Sequence, residues 1–117
     1  MYAECMARQG STQEAIDYLN MIRERAILVT DSDGNVVDNG SESIKYQLDD
    51  FSNDSELIEA IILERQIEFM MEGNRFHDLI RLRRNVNGLP YYDDMLRYPI
   101  PISELDANPN LEQNPGY

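Results

Sequence analysis

Four prolines between Tyr98 and Tyr117 (Pro99, Pro101, Pro109 and Pro115) constrain this chain more than any other feature. Each lacks a backbone N–H and fixes its own φ, so the segment can be neither one continuous helix nor a central strand. Yet Ile100, Ile102, Leu105, Leu111 and Tyr117 are spaced through it, which makes it too apolar for a solvated tail. The pattern predicts an extended strap, laid on a helical body and docking these side chains one by one.

The upstream sequence supplies the body. Residues 2–9 read as the end of a helix closed by Gly10. Ser11-Thr-Gln-Glu14 has the form of a capping box, and Ala15, Leu19, Ile22 and Ala26 follow at helical spacing as a buried face. Two helices joined at one glycine make an antiparallel hairpin, and Tyr2, Gly10 and Glu14-Ala15-Ile16 resemble part of a tetratricopeptide-type repeat. Such repeats need about three stacked units for stability, and only one is visible.

Residues 28–53 form a polar, variable loop between helices. Within it, Val29-Thr30 and Val36-Val37 flank a turn at Asp33-Gly34 and predict a short hairpin. Asn53-Asp-Ser-Glu56 is a second capping box. The helix after it runs to about Glu72 and is apolar nearly all round over Leu57, Ile58, Ile61, Ile62 and Leu63, which predicts the central, most buried helix. Gly73 fits a left-handed turn, and Asn74 is placed to cap a last helix from Arg75 to about Arg84, burying Phe76, Leu79 and Ile80. Residues 85–117 are then a connection and the strap. The expected fold class is all-α: tetratricopeptide-like hairpins with a long irregular loop and a proline-rich strap. At 117 residues the chain is a single region, long enough to bury about 65 per cent of its unfolded surface.

Charge narrows the partners. With a formal net charge of −12, the surface repels phosphate backbones and anionic membranes, which disfavours both. Nine of the ten cations are arginine, with Lys45 the exception, and arginine's planar fork favours fixed pairs with carboxylates. Arg65, Arg75, Arg81, Arg83 and Arg84 place that network in the third and fourth helices. Cys5 has no internal partner for a disulfide. No apolar run approaches membrane-spanning length, and no signal peptide is present. Tyr2 to Gln9 opens in mid-helix without a cap, which predicts a chain cut from a longer precursor; the other reading is a cytoplasmic protein.

Several residue sets could carry chemistry. Glu64, Glu68 and Glu72 form a carboxylate stripe at i, i+4 and i+8, where unpartnered like charges cost about 0.2–0.5 kcal/mol per pair. A di-metal carboxylate bundle would need Glu-x-x-His pairs, and His77, the lone histidine, is not three residues after any glutamate. The structural reading is that Arg65, Arg75 and Arg81 neutralise the stripe where two helices cross. His77 has no nucleophile elbow or comparable context, so packing or hydrogen bonding is its expected role. Asp31, Asp33, Asn35 and Glu42 resemble the oxygen ligands of a calcium loop, but Val36 stands where the sharp turn needs glycine; a plain turn is the favoured reading. Tyr91-Tyr92 either stack on a sugar ring or anchor the loop, the second being favoured. No catalytic, cofactor-binding or metal-binding set emerges.

The segment from Ile62 to Arg81 strongly resembles the C-terminal helical signature of the SusD/RagB family. It carries Glu64-Arg65, Glu68-Phe69, Glu72-Gly73, Arg75, Asp78-Leu79 and Arg81, with Asn74 in place of the usual histidine. Pro99-Ile-Pro101 and Asn108-Pro-Asn-Leu to Asn114-Pro-Gly-Tyr117 are similar to that family's C-terminus, and residues 2–27 to the hairpin upstream. The resemblance implies the C-terminal portion of a non-enzymatic, lipid-anchored protein on the outer face of the outer membrane. Such proteins bind oligo- or polysaccharides and serve a TonB-dependent, SusC-like transporter as its lid. The family's glycan contacts come largely from loops outside this region, so no glycan-binding residue is carried over; Glu64, Arg65, Glu68, Glu72, Gly73, Arg75, Asp78 and Arg81 are expected to be scaffold. Cys5 lies inside a helix and is not the anchor. The competing expectation is a self-contained tetratricopeptide-like module that binds a protein or peptide in the cytoplasm.

Overall fold

The computed structural model describes residues 1–27, 29–37 and 44–117. They form two compact units, Met1–Glu68 and Phe69–Tyr117, and the fold class is all-α.

The first unit packs three helices: α1 (Tyr2–Arg8), α2 (Thr12–Ile27) and α3 (Asp54–Glu68). The link between α1 and α2 is tight because Gly10 takes φ +82°, which an L side chain rarely adopts. That conformation lets Gly10 N–H donate to Ala7 O at 3.2 Å and Ser11 N–H to Met6 O at 2.9 Å, the two bonds of a Schellman motif. Ser11 begins α2 with its backbone, its carbonyl accepting from Ala15 N–H at 3.0 Å. Its hydroxyl forms no cap hydrogen bond among the described residues, while the neighbouring Thr12 hydroxyl donates to Asp54 Oδ1 at 3.0 Å. At the start of α3 the expected cap is present. Asn53 Oδ1 accepts from Glu56 N–H at 3.1 Å, and the Glu56 carboxylate accepts from Ser52 N–H at 2.8 Å, one residue earlier than a standard capping box.

The core of this unit joins Ala3 and Ala7 of α1, Ala15, Ile16 and Leu19 of α2, and Leu57 and Ile61 of α3. Ile16, Leu19 and Leu57 are essentially removed from water, each stabilising the fold by about 1.5–3 kcal/mol. Ile22 and Ala26, expected on the buried face of α2, are exposed. Helix α3 is buried on one side only: Leu57, Ile61 and Ile62 are covered, whereas Leu63 and Ile67 are 54 % and 57 % exposed. The apolar composition of this helix overstated its burial because two of its leucine and isoleucine positions, four residues apart, share an outer face.

Between α2 and α3, β1 (Val29–Thr30) and β2 (Val36–Val37) pair antiparallel with Val29 opposite Val37, as the turn signals predict. The return arm is more than a surface loop. Tyr46 and Phe51 pack on the core with ring centroids 5.1 Å apart, flanking a 3-10 turn at Leu48–Asp50. The Asn20 side chain of α2 holds this arm as a strand partner would: Nδ2 donates to Tyr46 O and Oδ1 accepts from Tyr46 N–H, both at 2.8 Å.

In the second unit, α4 (Asn74–Arg81) follows a reversal in which Met71 and Gly73 both have positive φ, 72° and 76°. Helix α3 therefore ends at Glu68, four residues before the expected Glu72, and Gly73 rather than Asn74 occupies the cap position. Phe76, Leu79 and Ile80 are half-buried; the most buried residue of α4 is Asp78. After α4, Asn87-Gly88 makes a tight turn that pairs Val86 and Leu89 through reciprocal bonds of 2.8 and 2.9 Å.

The strap departs from expectation in two ways. Residues Ile102–Ala107 form a short helix, α5, starting directly after Pro101 and ending before Pro109. The prolines bracket this turn and a half instead of interrupting it, so no steric rule is broken. Nor are the apolar side chains all docked, since Ile102 and Tyr117 are 74 % and 54 % exposed. The strap instead closes on itself through side chains. Gln113 accepts from Ile100 N–H at 2.8 Å and donates to Ile100 O at 3.0 Å, and Asn114 Nδ2 donates to Tyr98 O at 2.6 Å.

Candidate functional site

The carboxylate stripe of α3 faces α2, and its partners come from there. Arg23 Nη1 lies 2.6 Å from Glu64 Oε2, with the two side chains only 22 % and 13 % exposed. The same guanidinium donates from Nε to Ile44 O at 2.9 Å and stacks over the Tyr46 ring, 4.3 Å from its centroid. Glu68 is paired with Arg25. The expectation that Arg65, Arg75 and Arg81 neutralise the stripe is therefore corrected at these two positions. Arg23 and Arg25 lie on the helix packed against Glu64 and Glu68, whereas Arg75 and Arg81 follow the reversal after Glu68. Arg81 Nε instead binds Asp78 Oδ1 within α4 at 2.7 Å. Glu72 and Arg75 are exposed, and neither side chain is engaged among the described residues. Arg65 is half-buried on α3.

A second buried carboxylate was not singled out from sequence. Glu4 is 4 % exposed on α1, and its Oε1 accepts from Arg8 Nε and Nη2 at 3.1 and 3.0 Å. The i, i+4 spacing of Glu4 and Arg8 was a readable signal for that pair. Opposite charges close every pair described here, which is the arrangement of a scaffold; none leaves a carboxylate and a base converging on open space.

The other candidates are separate. His77 is exposed and meets the ring of its chain neighbour Phe76 edge-on at 5.5 Å. Asp31 serves its own turn: Oδ1 accepts from Asp33 N–H and Asn35 N–H, both at 2.9 Å, and Oδ2 from Asn35 Nδ2 at 3.2 Å. These bonds, Asn35's backbone N–H first, hold the Asp31 carboxyl below its ordinary pKa. Glu42, the fourth residue of the calcium-like pattern, lies outside the described residues, and no metal-ligating cluster occurs among those described. Tyr91 and Tyr92 meet edge-to-face at 5.2 Å, with Tyr91 half-buried and Tyr92 70 % exposed, so the pair has one anchored and one presented ring. No helix among the described residues is long and apolar enough to cross a membrane.

The geometry defines a helical scaffold in which Glu64, Glu68, Asp78 and Arg81 are paired and Gly73 makes a turn, while Glu72 and Arg75 stay exposed. The sequence model of the SusD family matches residues 1–96, and the chain belongs to that family. Two relatives from Formosa agariphila are the SusD-like protein P38, 34% identical over 98% of this chain, and the SusD-like protein P2, 38% identical over 92% of it. The chain spans about a fifth of the length of these curated relatives, 22% of each. No solved structure matches it.

Proposed function

We propose that this chain acts as the C-terminal scaffold of a cell-surface nutrient-binding protein, which captures oligo- or polysaccharides for a TonB-dependent, SusC-like outer-membrane transporter. The observation that carries the reading is the family match over residues 1–96, supported by two relatives that cover nearly all of the chain. The signature residues Glu64, Arg65, Glu68, Glu72, Gly73, Arg75, Asp78 and Arg81 then serve the shape of the protein and not its ligand. In this role the molecule performs no catalysis and uses no cofactor, and residues 1–117 work as one C-terminal region of a longer parent. The α1–α2 hairpin supplies one tetratricopeptide-like unit. Capture and docking belong to the parent, whose lipid anchor would lie upstream.

The test is an immunoblot of fractionated source cells with an antibody raised against the chain. A band much larger than 13.6 kDa, in the outer membrane and co-purifying with a large β-barrel protein, is the expected result. A band near 13.6 kDa in the cytoplasm overturns the reading in favour of a free-standing helical module with a protein partner.

A further inference from the structure

We propose that the 3-10 turn Asp94–Leu96, with the C-terminal tail folded onto it, is a contact surface for an uncharged saccharide. In this site Tyr98 and Tyr117 offer stacking faces, and Asp94 and Arg97 meet hydroxyl groups. The inference deepens the nutrient-binding reading and rests on it for the class of ligand.

Three observations carry it. Exposure comes first: Tyr98 is 82 % exposed and Tyr117 54 %. The Tyr117 hydroxyl donates to Arg97 O at 2.9 Å, with Met95 O 3.3 Å away, which fixes that ring beside the residue preceding Tyr98. Second, the surface is held before any ligand arrives. Asp93 Oδ1 accepts from Met95 N–H at 2.9 Å, Asn114 Nδ2 binds Tyr98 O at 2.6 Å, and Gln113 takes both backbone groups of Ile100. Gly116 lets the tail lie against the turn: a Cβ there would sit 3.4 Å from Met95 Sδ, and its φ of +100° suits glycine alone. A rigid surface loses little entropy on binding. Third, Asp94 Oδ1 and Arg97 Nη1 pair at 3.1 Å while staying about half exposed, so both planar groups keep free hydrogen-bonding positions.

A sugar ring has an apolar C–H face for a tyrosine and hydroxyls for a carboxylate or guanidinium. Charge makes the ligand neutral. From Tyr91 to Tyr117, Arg97 is the single cation against Asp93, Asp94, Glu104, Asp106 and Glu112, a field that repels uronate or sulfated chains.

The experiment is a titration of the whole chain, labelled with 13C in its tyrosine rings, against neutral gluco-, manno-, xylo- and galacto-oligosaccharides and against oligogalacturonate. The expected result is a saturable shift of the Tyr98 and Tyr117 ring signals with at least one neutral sugar and none with the acidic one. Tyr98→Ala should raise Kd by about threefold to tenfold, the range for an aromatic contact. Tyr117→Phe, which keeps the ring and removes its tether, should raise it less, and Tyr2→Ala should leave it unchanged. Silence from every neutral sugar overturns the proposal, as do shifts confined to other tyrosines or an unchanged Kd in Tyr98→Ala. Binding detected elsewhere on the chain sinks this site but leaves the nutrient-binding reading intact. Binding here by a protein that fractionates with the cytoplasm does the reverse.

Discussion

Arg23 concentrates more of the fold's specificity than any other cation of α2. One guanidinium, mostly shielded from water, closes the charge of Glu64, donates to Ile44 O and covers the Tyr46 ring. Removing it leaves Glu64 largely desolvated and unpaired, a larger penalty than the pair's own net contribution. Arg23→Ala should therefore cost about 2–4 kcal/mol in chemical denaturation. Arg75→Ala should stay within about 0.5 kcal/mol, because that side chain is exposed and unengaged among the described residues. Equal losses for the two variants would refute the assignment of partners. Arg83 supports the opposite kind of prediction. It ends α4 in a Schellman motif, with Arg83 N–H bound to Ile80 O at 3.0 Å and Arg84 N–H to Leu79 O at 2.8 Å, and it does so at φ +55°. A side chain in that conformation is strained by about 1 kcal/mol, and this one is exposed and unengaged among the described residues. Arg83→Gly should raise stability by about 0.5–1 kcal/mol, read as a higher denaturation midpoint at unchanged slope.

Elements whose signals are local were legible in sequence; those fixed by distant partners were not. Gly10, the cap at Asn53 and the Asp33-Gly34 turn each act within a few residues, so the α1–α2 link, the start of α3 and the β1–β2 hairpin could all be placed. The end of α3 could not. It depends on Met71, a residue with no left-handed preference, taking φ 72°. The signature motif was visible as a motif, but Glu64 finds its arginine 41 positions away, a distance no spacing rule spans. The hairpin turn itself gives a pH prediction. Asp31's folded pKa is depressed by the N–H groups it accepts, Asn35's first, so its stabilisation of the turn is complete above the unfolded value. That support disappears as pH falls through the lower, folded value. Amide signals of Asp33 and Asn35 should move together below the ordinary carboxylate range, and Asp31→Asn should abolish that step. A titration midpoint at or above the ordinary aspartate value would count against the turn's hold on the carboxylate.

For the whole molecule, the decisive quantity is apolar surface left in water. Leu63 and Ile67 form an exposed pair one turn apart on α3, and Tyr2, Tyr18, Met21 and Ile22 add a second exposed set on α1 and α2, with the Tyr2 and Tyr18 rings edge-to-face at 4.5 Å. A surface of that kind on a small protein drives association unless charge opposes it. Here the net charge of −12 does oppose it, through repulsion that salt screens. The two effects together predict an association that strengthens with ionic strength, the reverse of one built on salt bridges. Sedimentation velocity should show the weight-average mass rising with protein concentration, and rising further between low salt and about 0.5 M, where the Debye length has shrunk to about 4 Å. Leu63→Glu with Ile67→Glu should return the chain to monomer at all salt concentrations without loss of helix signal, since neither side chain belongs to the core. A monomer at every salt concentration would mean that the exposed pairs are too small or too separated to act as one surface. Association that salt dissolves would instead place the contact on the charged groups.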